Sequence, residues 1–129
     1  MSKATRSNSN TVIGDEITAI FTETCTILNG ASMSDILDLR GVSAVRFIMP
    51  AAWTAAALTF QVSVDGTNFF DLYDNLGIEK NIPVVASRAI NLDVSELAFI
   101  DYLKIRSGTS GTPVNQGADR VISVIVVVL

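Results

Sequence analysis

The chain has 129 residues, of which 49% are hydrophobic and 17% are charged, and its formal net charge at pH 7 is -4. This length predicts one domain with one hydrophobic core, and the apolar excess predicts that part of the apolar surface faces partner chains. The acidic balance argues against a nucleic-acid-binding protein, because such proteins gather Lys and Arg on one face to neutralise phosphates.

Several reactive groups are missing from the sequence. It contains no His, and Cys25 is the single cysteine, so an intramolecular disulfide, a His/Cys zinc site and the His-based catalytic triads are excluded. Asp71, Asp74 and Glu79 could form a carboxylate pair or a Ca²⁺ site, but their spacing is also typical of a polar turn. We therefore predict no catalytic residue, no metal site, no cofactor and no enzymatic activity.

The amino-terminal residues differ in composition from the rest. Residues 1–14 are rich in Ser, Asn and Thr and contain no core-forming residue before Val12, which predicts a flexible arm preceding a single domain over 15–129. They lack the apolar core of a secretory signal. The most apolar run, 121–129, is too short to cross a bilayer as a helix, so we expect no membrane partner.

From Glu16 onward, short runs of β-branched and aromatic residues alternate with polar residues and are separated by Gly, Pro, Asn, Asp and Ser, which is the pattern of strands. We see no alternation of strands with helices. The sequence therefore predicts an all-β fold: an antiparallel β-sandwich, jelly-roll-like, with about eight strands. The predicted strands are 16–28, 35–39, 43–50, 57–64, 69–73, 82–91, 99–107 and 120–128.

The clearest local pattern is a β-hairpin over 57–73. Leu58, Phe60, Val62 and Val64 fall on one face of an extended segment and polar residues on the other. The pair at 65–66, Asp-Gly, accepts positive φ and predicts the turn.

The last predicted strand is apolar on both faces, whereas a strand with one solvated face should alternate. It must be covered on both sides, either by the two layers of its own domain or by a neighbouring subunit. The candidate interface residues are Val124, Val126, Val128 and Leu129 of this strand, with Ser7, Asn8, Asn10 and Val12 of the arm.

Two aromatic residues, Trp53 and Tyr73, are candidates for stacking against a sugar ring. Aromatic side chains of a β-sandwich are also its usual core residues. A carbohydrate-binding module therefore stays open as an alternative.

Three stretches together resemble a group of small proteins encoded in the structural-gene regions of tailed bacteriophages and prophages, and the resemblance covers roughly 43–128. They are 53–74, 86–90 and 102–109, including Asp65-Gly66-Thr67-Asn68-Phe69-Phe70-Asp71-Leu72-Tyr73-Asp74, Ala86-Ser87-Arg88-Ala89-Ile90 and Tyr102-Leu103-Lys104-Ile105-Arg106-Ser107-Gly108-Thr109.

The resemblance implies a virion component, namely a capsid decoration or cement protein that stabilises the head by bridging capsid subunits. Its partners would be the major capsid protein and further copies of itself, as a dimer or trimer. It would be made in the host cytoplasm and located on the capsid exterior. A tail or head-tail connector component is the alternative within the virion.

Overall fold

The computed structural model describes residues 19–129, which form eight β-strands and no helix. The strands are β1 (Ile20–Ile27), β2 (Leu37–Asp38), β3 (Val42–Ile48), β4 (Leu58–Ser63), β5 (Phe70–Asp71), β6 (Ala89–Asn91), β7 (Tyr102–Ser107) and β8 (Arg120–Val128).

The strands form two four-stranded sheets in which every pairing is antiparallel. Sheet I has the order β1-β8-β3-β6, and sheet II has the order β2-β7-β4-β5. The chain changes sheet at every connection except the β4–β5 hairpin, and this order is that of a jelly roll. The predicted antiparallel, jelly-roll-like sandwich of eight strands is confirmed.

The core lies between the two sheets. Phe47 of β3 and Phe60 of β4 stack across it, with ring centroids 5.9 Å apart and an interplanar angle of 26°. Both side chains are fully buried. The other large apolar side chains of the strands that are fully buried are Ile27, Leu58, Leu103, Ile105, Ile122, Val124 and Val126.

The predicted hairpin over 57–73 is confirmed as the β4–β5 pair, with Gly66 at φ 77° in its turn. The inward-facing row of β4 ends at Val62, whereas the pattern predicts that Val64 also faces the core. Val64 is instead 84% exposed. The Ser63 hydroxyl accepts hydrogen bonds from the backbone N–H groups of Asp65 and Gly66, at 3.2 and 2.9 Å. These bonds turn the chain away before Val64 can reach the core.

The strand predicted over 82–91 is mostly irregular, and only its last three residues form β6. Ile82 makes an isolated bridge to Leu58. Pro83 follows, and because proline has no N–H to donate, a sheet ladder does not continue through it.

The outer face of sheet II is polar and is closed by an ion-pair network around Arg106, whose side chain is 6% exposed. Its guanidinium donates to Asp71 and to the Glu79 carboxylate, the latter at 3.2 Å, and also to the Thr59 hydroxyl at 3.3 Å. Glu79 in turn accepts the backbone N–H of Ser110 at 3.1 Å. One side chain thus joins β7 to β4, β5 and two loops.

Two cation–π contacts cover the rest of this face. Lys104 Nζ lies 4.4 Å from the centroid of the Phe69 ring, and the Arg40 guanidinium carbon lies 5.0 Å from that of Tyr102. Leu103 is buried in the core while its neighbours in β7 point outward. The cationic side chains on the outer face of sheet II are therefore paired with groups of the same domain.

Replacing Arg106 with Met should destabilise the fold by about 2 kcal/mol, because two carboxylates lose their partner; the value is below that of a fully buried pair since Asp71 is 34% exposed. Urea unfolding measures the effect. Arg40→Met, which breaks an ion pair exposed on both sides, is the control and should change stability little. Equal losses in the two variants would contradict the role given to Arg106.

The same network predicts a pH dependence of stability. The hydrogen bond from Arg106 holds the pKa of Asp71 below its usual value, so the folded protein binds this proton less readily than the unfolded chain. The resulting stabilisation is present above about pH 4 and is lost as pH falls through the lowered pKa. The difference in unfolding free energy between the native protein and Arg106→Met should shrink from pH 7 to pH 3; a constant difference would refute this.

Candidate assembly surface

The outer face of sheet I contrasts with that of sheet II. Residues paired across neighbouring strands share a face, so the strand registers define which side chains point outward. The sheet I outer face consists of Ile20, Thr22, Thr24 and Thr26 of β1, Val121, Ser123, Ile125 and Val127 of β8, Ser43, Arg46 and Ile48 of β3, and Ala89 and Asn91 of β6.

An apolar stripe runs across this face along the central strand β8. Val121 is 48% exposed and Ile125 and Val127 are half-buried, while Ile20 and Ile48 on the flanking strands are 46% and 41% exposed. Single exposed apolar residues are common on proteins, but several on one face of a sheet are typical of an interaction surface.

Charge is sparse on this face. Arg46 is the one charged member of the set defined above, and its Nε donates to the side-chain oxygen of Asn91 at 2.7 Å. The other polar members are Thr, Ser and Asn. A partner can cover these groups without the large desolvation cost of burying several unpaired charges.

A hollow of about 360 Å³ lies at the end of this face where Ser43 pairs with Val127. On one side it is bounded by the sheet and on the other by the turns that follow β6. Its lining residues are Ser43, Val45, Val94, Ser95, Ala98, Phe99, Val127 and Leu129.

Phe99 stands at the rim of this hollow and is 84% exposed. Its φ is 58°, a conformation that costs a non-glycine residue about 1–2 kcal/mol. The neighbouring Val94 and Leu129 are also largely exposed, at 79% and 62%. The apolar surface therefore extends from the sheet onto the turns beside it.

The structure separates the predicted interface residues of β8. Val124 and Val126 are 0% and 1% exposed and fill the core, so their side chains are not available to a partner in this fold. Val128 and Leu129 are 42% and 62% exposed at the end of the strand. The four predicted arm residues, Ser7, Asn8, Asn10 and Val12, lie outside the described residues.

The outward residues of β8 were missed because both faces of the strand are apolar in sequence. Its even-numbered residues pair with inward side chains such as Phe47, and its odd-numbered residues pair with outward ones such as Thr22. Only this register shows that Val121, Ile125 and Val127 form the surface. The alternation of Thr22, Thr24 and Thr26 along β1 is the sequence pattern that could have indicated which face of sheet I points outward.

The two candidate stacking residues have different environments. Trp53 is half-buried and packs against the core, and its indole N–H donates to the carbonyl of Ala56 at 3.0 Å. Tyr73 is 49% exposed and forms a bridge with Glu79. Trp53 thus has a structural role in its own loop.

The loop before β8 contains a buried side chain, Gln116, although the composition of the loop is polar. Gln116 is 1% exposed; its amide oxygen accepts the N–H of Thr54 at 2.8 Å and that of Arg120 Nε at 3.1 Å. Its amide nitrogen donates to the Thr54 carbonyl and to the Ser107 hydroxyl, at 3.0 and 2.7 Å. Gln116 can be buried within this polar loop because its hydrogen bonds offset the cost of burial.

The acidic residues that could have formed a metal site bind protein groups. Asp71 and Glu79 contact Arg106, and Asp74 accepts the backbone N–H groups of Leu76 and Ile78, at 2.8 and 3.0 Å. Within residues 19–129 no three His, Cys, Asp or Glu side chains are placed to hold a metal ion.

Cys25 is 1% exposed, and burial raises its pKa to about 12. The reactive thiolate form is therefore strongly disfavoured. This environment is that of a small core residue.

Comparison of the chain with protein-family models, with curated proteins and with solved structures finds no match. In the part of the chain that the structure describes, no helix has the length and apolar character needed to cross a membrane.

Proposed function

We propose that this protein is a structural subunit of a tailed-phage virion, a decoration protein that stabilises the head by bridging capsid subunits. The observation that carries the proposal is the difference between the two outer faces of the sandwich. The sheet I outer face carries a partly exposed apolar stripe and one charged residue among the described residues, whereas the outer face of sheet II is polar and closed by its own loops.

Such an asymmetry suits a protein that is bound on one side and solvated on the other. Apolar area removed from water is worth roughly 25 cal/mol per Å², and a stable interface buries about 800 Å² on each partner. A polar face whose charges are already paired has little to gain from another protein. Sheet I would therefore contact protein and sheet II would face solvent.

The chemistry of the described residues favours binding over catalysis. Arg106, Asp71 and Glu79 bind one another, and the Cys25 thiol is buried and protonated. A catalytic group needs access to a substrate and a pKa suited to proton transfer or nucleophilic attack. The groups with unusual environments here are engaged in holding the fold.

The fold gives further support of a general kind. Jelly rolls occur in viral capsid proteins, and also in lectins and cupins, so the architecture agrees with a virion role without specifying it. The glycan alternative relied chiefly on Trp53, whose packing and hydrogen bond lie within its own loop. The assembly role is therefore better supported than the carbohydrate-binding one.

Decoration requires no chemical step. Each copy that bridges two capsid subunits adds interface that must be broken before they separate, and binding stabilises the assembled state over its dissociated parts. Repetition over a lattice multiplies a modest contact. The head would thereby resist the outward pressure of packaged DNA.

The copy number in purified virions tests the proposal. Quantitative mass spectrometry against the major capsid protein should give hundreds of copies per particle, as expected for a component repeated over the shell. About a dozen copies or fewer would place the protein in the tail or connector and overturn the decoration role. Absence from the particle would overturn the virion role altogether.

The predicted arm gives a second test. Deleting residues 1–14 should lower occupancy on preformed heads, because the arm is proposed to become ordered on the shell, and should leave the domain folded by circular dichroism. A variant in which the polar residues 5–11 are only shuffled in order is a composition-matched control. Unchanged occupancy of the deletion variant would refute the role of the arm.

A further inference from the structure

We infer that residues 5–13 add to the outer edge of β1 as a further strand of sheet I, joined to β1 through a two-residue turn at Gly14-Asp15. The outer edge is the side of β1 that faces away from β8. The inference does not rest on the proposed function, because it concerns the free protein and states where the arm lies before a shell is present.

Hydrogen bonds at the two ends of β1 show which backbone groups face its outer edge. The Ala19 carbonyl accepts the N–H of Val128, so odd-numbered residues from Ala19 onward direct their backbone groups toward β8. Thr26 points the opposite way. Its carbonyl accepts the N–H of Asp35 at 3.2 Å, and its own N–H donates to the Asp35 carboxylate at 2.8 Å.

The same alternation assigns three more residues to the outer edge. Ile20, Thr22 and Thr24 direct their N–H and C=O groups away from β8, as Thr26 does. Within residues 19–129, β1 has β8 as its one ladder partner, and the segment that closes its other edge stops at the level of Thr26. Backbone groups left open along a sheet edge are a template for an added strand.

The sequence that leads into β1 has the pattern of a hairpin. Residues 11–13 (Thr-Val-Ile) and residues 17–20 (Ile-Thr-Ala-Ile) are mostly β-branched, and Gly14-Asp15-Glu16 separates them. Gly followed by Asp suits a two-residue type II′ turn, in which glycine takes the first central position. Because this turn is connected directly to β1, the strand before it runs antiparallel along the outer edge.

The turn fixes a register that meets the open backbone groups. In a two-residue hairpin the residues that flank the turn, Ile13 and Glu16, exchange both backbone hydrogen bonds, and every second pair beyond them does the same. The later pairs of this kind are Ser9 with Ile20, Ser7 with Thr22, and Thr5 with Thr24. The residues of β1 that these pairs require are those whose groups face the outer edge, so the added strand and β8 do not compete for them.

Charge agrees with the same register. Glu23 is exposed and forms no ion pair with another residue of the range 19–129. The register places Arg6 directly across from Glu23, in a pair without backbone hydrogen bonds, where side chains on neighbouring strands approach most closely. Opposite charges at such a position stabilise strand pairing.

The added strand is a reversible cover. Residues 5–11 are Thr, Arg, Ser and Asn, so the pairing depends on backbone hydrogen bonds and one ion pair and buries little apolar area. A surface that offers the arm more contacts can displace it from β1. Until then the arm keeps the edge from pairing with the strands of other chains.

Amide hydrogen exchange of the free protein, followed by NMR, tests the inference. After deletion of residues 1–14, the amides of Ile20, Thr22 and Thr24 should exchange about tenfold faster or more, because they lose their acceptors. The amides of Phe21 and Glu23 donate to β8, so they are internal controls and should change much less. Equal exchange of the three edge amides with and without the segment would overturn the inference.

A disulfide tests the register. Ser7→Cys with Thr22→Cys puts thiols on a directly opposed pair with Cα atoms about 5.5 Å apart, so oxidation should link them within one chain, as seen on a non-reducing gel. Thr26 lies four residues beyond Thr22, roughly 13 Å along the strand, so Ser7→Cys with Thr26→Cys is the matched control and should not link. Cys25 is 1% exposed and does not compete. A link between two chains, or equal linking in both variants, would refute the pairing.

Charge reversal gives an independent readout. Arg6→Glu should speed exchange of the edge amides, and Arg6→Glu combined with Glu23→Arg should slow it again. Lys3→Glu changes the net charge equally but lies beyond the added strand, so it should have no effect. Failure of the double variant to slow exchange would contradict the placement of Arg6 across from Glu23.

None of these measurements involves a head. Protected edge amides in a protein that is absent from virions would uphold the inference and overturn the decoration role. Unprotected edge amides in a protein present at hundreds of copies per particle would do the reverse.

Discussion

The structure depends on the position of β8 between β1 and β3. This last strand pairs with the first strand over eight residues of β1 and with β3 across a bulge between Ala44 and Arg46. Once both edges of β8 are paired, its side-chain parity is fixed, because successive residues of a strand point to opposite faces. Ile122, Val124 and Val126 then fill the core, and Val121, Ile125 and Val127 form the outer stripe.

The outer faces of the two sheets differ in how far they are covered, because loops of the chain fold over the outer face of sheet II. The β4–β5 turn and the segment that contains Glu79 lie over the outer face of sheet II, where Arg106 and Lys104 bind them. The outward residues of β8 keep part of their surface exposed, with Val121 at 48% and Ile125 and Val127 half-buried. Exposed apolar side chains therefore lie on the sheet I outer face, such as Val121, and also in loops outside it, such as Val64 and Leu76.

Two buried polar side chains tie loops to the strands of sheet II. Gln116 ties the loop before β8 to Thr54 and Ser107, while Arg106 ties β7 to the loops over sheet II. The Gln116 amide uses both its donor and its acceptor positions, and the two terminal nitrogens of Arg106 bind three partners, so each side chain fixes a local geometry. The strained backbone of Phe99 is different, because it presents an apolar ring to solvent at the rim of the hollow.

The sequence by itself determined the all-β class, the β4–β5 hairpin with its Gly66 turn and the absence of His-based chemistry, because these follow from residue type and a period of two. It could not determine the parity of β8, since a strand apolar on both faces carries no periodic signal. The burial of Gln116 and the pairing of Arg106 with Asp71 and Glu79 also required the tertiary structure. Their partners lie far apart in the chain, and only the jelly-roll order brings them together.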